Sequence, residues 1–199
     1  SDVELVARFE KLLKQYEGTH RFHSFTKELD FKAPQAKRFI IRWSAELFDF
    51  QGKPYVLCQV LGQSFLYHQI RKMVGLAVSV IRGLAPEPCI QIALRNRAKV
   101  NVPLAPGCPL FLDDCVFHAY NMRYGEDHDA VQRSRFEDKV QDFKRRVLYP
   151  SIVLSEDFEE VAFWLQGVTN ELHKFSEWQL EPDAGPRRDS RGAGGDQGR

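Results

Sequence analysis

The feature that most constrains the fold is a run of apolar residues with helical spacing, directly after two strand-like segments. Residues 65–82 carry apolar side chains every three or four positions, which is typical of a helix with a wide buried face. These are Leu66, Ile70, Met73, Val74, Ala77, Val78 and Ile81. Residues 39–48 and 55–61 are rich in strand formers and flank a Gln-Gly-Lys-Pro turn, which predicts an antiparallel hairpin. We therefore expect an α+β fold, with an antiparallel sheet packed against helices.

Local patterns predict the remaining elements. Apolar spacing predicts further helices over 3–17, 88–96, 129–147 and 157–166, and Tyr149-Pro150 is expected to end the third of these. A strand is predicted over 110–117, and loops over 19–25 and 102–109. We expect one domain over 1–180. Residues 181–199 are Gly, Arg, Asp and Pro with little to bury, which predicts a disordered tail.

Composition narrows the class of protein. A chain of 199 residues with a net charge of +1 is long enough for one core, and any nucleic-acid site has to be a local basic surface. The four cysteines form no C-x-x-C pair, so we expect reduced thiols in an intracellular protein and no metal. Met73–Ile81 is the longest apolar stretch and falls far short of the roughly 20 residues that span a bilayer, so no membrane partner is expected.

Arg71 stands out because it lies at the edge of the apolar face of its helix. His68, Gly75 and Val78 share its stripe, and the bare glycine lets another segment approach closely. A guanidinium in this position costs several kcal/mol if it is buried without an anion, which points to a carboxylate or phosphate partner. The alternative is an arginine that extends into solvent beside Lys72. The spacing alone leaves both interpretations open.

Other candidate sites are weaker. His20 and His23 lie three apart without a third ligand nearby, so packing or an RNA-facing loop is favoured over a metal pair. Asp113 and Asp114 are adjacent on a predicted strand and would point to opposite faces, which argues against a catalytic pair. Ser64 lacks the Gly-x-Ser-x-Gly turn of a hydrolase, and no dinucleotide or P-loop motif is present.

Basic and aromatic residues are interleaved in two regions. The basic ones are Lys32, Lys37, Arg38, Arg42, Arg71, Lys72 and Arg82, and the aromatic ones are Phe22, Phe25, Trp43 and Tyr67. Such a combination is typical of surfaces on which RNA bases stack. A mixed-charge surface over core aromatics explains the composition equally well.

Three motifs in order and spacing resemble the C-terminal half of TruA-type pseudouridine synthases. They are Gly18-Thr-His-Arg-Phe-His-Ser-Phe25, then Gln63-Ser-Phe-Leu-Tyr-His-Gln-Ile-Arg-Lys-Met-Val-Gly75, then Ala105-Pro-Gly followed by Leu110-Phe-Leu. Tyr149-Pro-Ser-Ile152 and Phe163-Trp-Leu165 resemble the eukaryotic branch, which acts on tRNA and other RNAs in nucleus and mitochondria. The likeness covers roughly residues 1–166.

The resemblance implies an RNA-modifying isomerase that converts uridine to pseudouridine without cofactor or metal, on a uridine flipped out of its stack. It implies that Arg71 forms a salt bridge with the catalytic aspartate and that Leu110 packs beside the target base. Phe65 and His68 would support the same cleft, and Phe22 and Phe25 would be the loop aromatics that face RNA. Arg38 and Lys72 are further candidates for RNA contacts, with tRNA as the expected partner.

One element of the family pattern is absent. The family carries its nucleophile in a Gly-Arg-Thr-Asp stretch N-terminal to the part matched here, and none of the aspartates in this chain follows Arg-Thr. We therefore expect the catalytic segment to belong to an N-terminal domain of the same protein, and the chain alone to be inactive. The alternative is a non-catalytic RNA-binding module or degenerate paralogue. Nucleus or mitochondrion is the expected location.

Overall fold

The computed structural model describes residues 1–179; the predicted disordered tail lies outside the described residues. The architecture is α+β, as predicted. Three antiparallel strands, β1 (Gly18–Arg21), β2 (Lys37–Phe50) and β3 (Lys53–Gly62), are ordered β1-β2-β3. Three helices, α1 (Asp2–Lys14), α2 (Gln69–Ile81) and α3 (Cys89–Arg95), contribute buried side chains to the same core. No helix among the described residues is long and apolar enough to cross a membrane.

The long hairpin of β2 and β3 is confirmed, and its turn has a clear local cause. Gln51 and Gly52 both have positive φ, of 54° and 74°, which the tight turn requires. The Asp49 carboxylate accepts a hydrogen bond from the Gly52 N–H at 3.2 Å. β1 was not predicted from the sequence, which indicated a loop over 19–25. Residues 18–21 instead pair with Lys37–Ile40. Four mostly polar residues give no strand signal of their own, so pairing with β2 decides their conformation.

The core lies between the sheet and the three helices. Its largest fully buried side chains include Tyr16, Phe22, Phe25, Trp43, Met73 and Phe175. α1 begins with a capping box in which Ser1 and Glu4 satisfy each other's backbone N–H groups. α2 begins four residues later than the apolar spacing predicts. His68 has a left-handed backbone, with φ of 67°, which prevents a regular helix from extending back through it.

Helices and turns continue the chain after an extended segment. These are α4 (His118–Tyr124), α5 (Glu137–Phe143), a π-helical turn (Lys144–Leu148), α6 (Tyr149–Val153), α7 (Glu159–Gly167) and α8 (Asn170–His173). The predicted helix at 157–166 is confirmed with a two-residue shift, whereas α4 and α8 were not predicted.

Two predictions in this region are wrong. Residues 110–117 lie before α4 without pairing to any strand among residues 1–179, so the predicted strand is not formed there. The predicted break at Tyr149-Pro150 is also absent, because Pro150 occupies the first turn of α6. The π-helical turn Lys144–Leu148 runs directly into α6, so the helical backbone continues past Tyr149 although Pro150 has no N–H to donate.

Candidate active site

A cleft of about 350 Å³ opens at the N-terminal end of α2. One wall is formed by the turn and first residues of α2, and the other by the loop that follows α3. Four of the residues singled out in the sequence line this cleft: Phe65, His68, Arg71 and Leu110. The first three are close in sequence, but Leu110 is brought to them by the fold.

Arg71 lies half-buried in the cleft wall and is anchored on one side by the opposite loop. Its Nε donates a hydrogen bond to the Ala105 carbonyl at 2.6 Å, and the Ala105 N–H donates to the Arg71 carbonyl at 3.3 Å. Among the side chains that the structure describes, no carboxylate forms an ion pair with this guanidinium. The side chain is therefore fixed in the cleft with unpaired positive charge, and does not extend freely into solvent.

Gly75 explains how the loop comes so close to α2. A Cβ at this position would collide with the Pro103 carbonyl oxygen and lie 3.3 Å from the Ala105 nitrogen. The loop backbone therefore packs directly against α2 at this glycine. The sequence predicted a close approach here, but not which segment makes it. Gly107 continues the contact, because a Cβ there would lie 3.4 Å from the guanidinium carbon of Arg71. Small residues on both sides let the loop pack against the guanidinium.

His68 lies beside Arg71, and its surroundings disfavour protonation of its imidazole. Desolvation, followed by repulsion from Arg71, Lys27 and Lys72, lowers the pKa of His68 below its usual value. Its ring packs on Tyr67, with the two ring centroids 3.7 Å apart. The positive charge at the cleft near neutral pH is therefore that of arginine and lysine side chains, not of histidine.

Phe65 and Leu110 provide the apolar part of the cleft. The Phe65 ring packs against Gly62, where an added Cβ would lie 2.9 Å from the ring. Leu110 is 46% exposed, so its side chain is free to contact a ligand in the cleft. Both residues also line a second cleft of about 530 Å³ along β3.

The structure places Phe22 and Phe25 away from any surface, which corrects the prediction that they contact RNA. Both side chains are fully buried, and their rings meet edge to face with centroids 5.6 Å apart. Trp43 is buried as well, at 1% exposure. Simple core packing, the other interpretation of these aromatics, accounts for all three. Among the four aromatics considered for stacking, Tyr67 is the exposed one, at 68%.

The remaining predicted contacts lie outside the cleft lining. Arg38 stands at the start of β2, where its guanidinium donates to the Gln35 and Lys37 carbonyls. Lys72 Nζ donates to the Ser24 carbonyl at 3.3 Å. Desolvation, followed by repulsion from Lys99 and Lys27, lowers the pKa of Lys72. No group of His, Cys, Asp or Glu is arranged to hold a metal among the described side chains.

An ion cluster near the second cleft was not visible in the sequence. Asp113 pairs with Lys144 and, at 3.0 Å, with Arg133, which also contacts Glu137 through two hydrogen bonds of 2.9 and 3.1 Å. Desolvation opposes ionisation of Asp113, but the hydrogen bonds and charges of Lys144 and Arg133 prevail and lower its pKa. A carboxylate held ionised in this way is unsuited to donate a proton. The Arg133–Glu137 pair could be predicted from its spacing of four residues. The pairs that Asp113 forms join residues far apart in sequence and could not.

Comparisons with known proteins match one family and several named proteins. The sequence model of a family described as tRNA pseudouridine synthase matches residues 12–118. Proteins named pseudouridylate synthase 1 homolog from Mus musculus and Homo sapiens are 40% identical over 178 residues, which is 87% of this chain and 41% of theirs. A tRNA pseudouridine synthase 1 from Candida albicans is 34% identical over 161 residues, 80% of this chain and 26% of its own. The chain thus spans less than half the length of these relatives.

Proposed function

This chain belongs to the tRNA pseudouridine synthase family, and from that premise we propose that it supplies one part of an active site that isomerises uridine to pseudouridine in RNA. The proposed substrate is tRNA, which is named in the family description and in several relatives. The nuclear or mitochondrial location stays a prediction from the resemblance.

The observation that carries the proposal is the guanidinium of Arg71. It is half-buried, anchored on the Ala105 carbonyl, and without an acidic partner in the described part of the chain. A cation in this position is stabilised by a carboxylate that approaches from the cleft, and arginine binds carboxylates through two parallel hydrogen bonds. The family resemblance supplies that group, because the catalytic aspartate lies in a Gly-Arg-Thr-Asp segment that is not found among the 199 residues.

The residues of the cleft fit distinct roles in this reaction. Arg71 holds the incoming aspartate in position and keeps it ionised, since a neighbouring cation lowers the pKa of a carboxyl group. Leu110 and Phe65 offer apolar surface to a uracil ring that has left its stack. The C1′–N1 bond breaks and the base turns, C1′ then bonds to C5, and the C5 proton leaves to solvent while N1 takes up a proton. Apolar walls allow this turn because they make no directional hydrogen bonds to the ring.

Arg71→Ala tests the proposal in a polypeptide that carries these residues together with the Gly-Arg-Thr-Asp segment. We expect kcat/KM for tRNA to fall by about 10²–10³, typical for loss of one preorganised electrostatic contact. Arg8→Ala removes an exposed arginine from α1 and is the matched control. Pseudouridine formation is measured on transcribed tRNA, and circular dichroism confirms folding. Unchanged turnover in a folded Arg71→Ala protein contradicts the proposal.

The 199-residue chain by itself is expected to form no pseudouridine, because none of its aspartates follows Arg-Thr. The measurement is conversion of uridine in tRNA at high protein concentration, with and without an added polypeptide that bears the Gly-Arg-Thr-Asp segment. Conversion by the chain alone would show that another of its carboxylates performs the chemistry. RNA binding without conversion, even after the segment is added, would favour the non-catalytic alternative.

A further inference from the structure

We propose that Lys27, Lys72 and Lys99, together with the ring of Tyr67, form a binding surface for single-stranded RNA next to the Arg71 cleft. We call this set the lysine surface. It would hold the phosphodiester strand that flanks the target uridine, so it deepens the proposed function and rests on it. Neither the motifs nor the comparisons assign a role to Lys27 or Lys99.

Three segments far apart in sequence meet at this surface. The Thr26 hydroxyl donates to the Tyr67 carbonyl at 2.9 Å, which ties residues 24–27 to the turn before α2. Lys99 donates through its amine to the Lys27 carbonyl, which brings the loop after α3 to the same place. Lys27 Nζ lies 6.0 Å from the centre of the Tyr67 ring. Together with the Lys72 contact to Ser24, these contacts bring three amines to one region, with the exposed Tyr67 ring beside Lys27.

The positive charge of the lysine surface is poorly compensated. None of the three lysines forms a salt bridge with a side chain that the structure describes. Desolvation is the main cause of the lowered pKa of Lys72, and repulsion from Lys99 and Lys27 lowers it further, so the three amines are close enough to interact. Glu28 and Asp30 favour the charged form of Lys99, yet desolvation outweighs them and its pKa is also lowered. An external polyanion relieves this repulsion and releases counterions when it binds.

The position and chemistry of the surface favour RNA over another polyanion. Tyr67 lines the Arg71 cleft, so a strand whose base enters the cleft passes directly over the lysine surface. The Tyr67 ring offers a platform on which a neighbouring base stacks. An anionic membrane provides phosphates as well, but insertion needs exposed aliphatic side chains beside the amines. In the segments that carry Lys27 and Lys99, no large apolar side chain is exposed.

The test measures binding of the 199-residue chain to a fluorescein-labelled single-stranded 12-mer RNA over a range of KCl concentrations. We expect Lys27→Gln combined with Lys99→Gln to weaken binding roughly tenfold near 0.1 M salt. The slope of log K against log salt should fall by about 1.4, since each phosphate contact on a single strand contributes about 0.7. Tyr67→Ala should weaken binding about fivefold or more and leave the slope unchanged, because stacking does not depend on counterions.

Lys53→Gln combined with Lys139→Gln is the matched control. It removes the same charge from exposed positions at the tip of the β2–β3 hairpin and on α5, so a small change is expected. The proposal is overturned if both double variants weaken binding equally, or if the unaltered chain does not bind the RNA. It is also overturned if Lys27→Gln with Lys99→Gln abolishes binding to phosphatidylserine vesicles while RNA binding is unchanged. Failure of the proposed function gives a different result. In that case Arg71→Ala, in the polypeptide with the Gly-Arg-Thr-Asp segment, still converts tRNA at the full rate.

Discussion

His23 and His173 are buried histidines whose surroundings oppose protonation. His23 is fully buried, with its ring edge-on to Phe31 at a centroid distance of 5.2 Å. His173 shares a hydrogen bond of 2.8 Å between its Nδ1 and the Asn101 carbonyl. In both cases desolvation is the largest cause and lowers the pKa of the imidazole, although backbone hydrogen bonds act in the other direction.

We expect the free energy of unfolding to fall as the pH drops below about 6.5. The unfolded chain binds protons near the ordinary histidine pKa of about 6.5, whereas the folded chain binds them at lower pH. Stability is therefore complete above this value and is lost toward the lowered folded pKa, by at most about 1.4 kcal/mol per pH unit for each histidine. Urea unfolding at pH 7.5, 6.5 and 5.5 measures this dependence.

The matched variants for this prediction are His23→Leu and His118→Gln. His23→Leu should reduce the pH dependence, because the variant has no imidazole to protonate at this site. His118 is exposed on α4, so His118→Gln should reproduce the profile of the unaltered chain. An identical pH dependence in His23→Leu would show that His23 does not contribute to it.

At the scale of elements, the contact between α2 and the loop at 103–105 determines the shape of the cleft. The loop backbone lies on Gly75 and accepts the Arg71 hydrogen bond one turn earlier in the helix. A backbone carbonyl cannot move aside as a flexible side chain does, so an added methyl group displaces the loop as a unit.

Gly75→Ala is expected to destabilise the fold by about 1–3 kcal/mol, the usual cost of an overpacked contact, although alanine is the better helix former. The midpoint of urea unfolding measures the change. Gly167→Ala is the matched control, because a Cβ there meets no atom within 4 Å, and stability should be unchanged or slightly higher. Equal stability of the two variants would mean that the loop adjusts without cost.

Two elements with a local cause were predicted well, whereas two segments whose strand pairing depends on distant residues were not. The apolar spacing of α2 and the turn of the β2–β3 hairpin are properties of a few consecutive residues, and both are confirmed. The apolar residues at 110–117 predict a strand by their type. A strand needs a hydrogen-bonding partner, however, and the described residues provide none for this segment. β1 is the converse case, since its partner exists although its own sequence is not strand-like.

The same distinction applies to the candidate site. Arg71 could be identified because a charged residue interrupts an apolar pattern within one helix. Whether Phe22 and Phe25 face solvent depends on how α1 and α2 pack over them, which no local pattern records. The ion cluster of Asp113, Arg133 and Lys144 joins residues 20 and 31 positions apart, so its members carry no shared local signal.

At the scale of the whole molecule, the helices over 118–167 are attached much more loosely than the core. Among the described side chains of this region, those recorded as buried are Lys144 and Tyr149. Tyr149 packs against Phe48 of β2, with ring centroids 5.0 Å apart, and Lys144 is held by Asp113. A region with so few buried contacts opens at a lower free energy than the core.

Asp113→Asn should selectively loosen these helices, because it leaves the buried Lys144 ammonium without its counter-charge. We expect amide hydrogens over 137–153 to lose about 2 kcal/mol of protection, somewhat less than for a fully buried pair because Asp113 is partly exposed. Amides of α2 and β2 should be unchanged. Native-state hydrogen exchange with mass spectrometry measures both.

Asp142→Asn is the control for this prediction, since the Asp142–Arg146 pair on the same region is exposed and should contribute little. Uniform loss of protection across the chain in Asp113→Asn would show that the helices and the core unfold together. Unchanged protection over 137–153 would show that Lys144 finds another partner.

The bond between Arg71 Nε and the Ala105 carbonyl has a stereochemical consequence for the acid that Arg71 would bind. A guanidinium has five N–H groups, and here the one on the inner nitrogen is already used. The four that remain belong to the two terminal nitrogens, Nη1 and Nη2. A carboxylate that binds with both oxygens therefore has to approach these two nitrogens end-on, along the long axis of the side chain. Lysine has one ammonium group and cannot bind the loop carbonyl and both carboxylate oxygens in this geometry. We therefore expect Arg71→Lys to misalign either the loop or the acid although it preserves the charge.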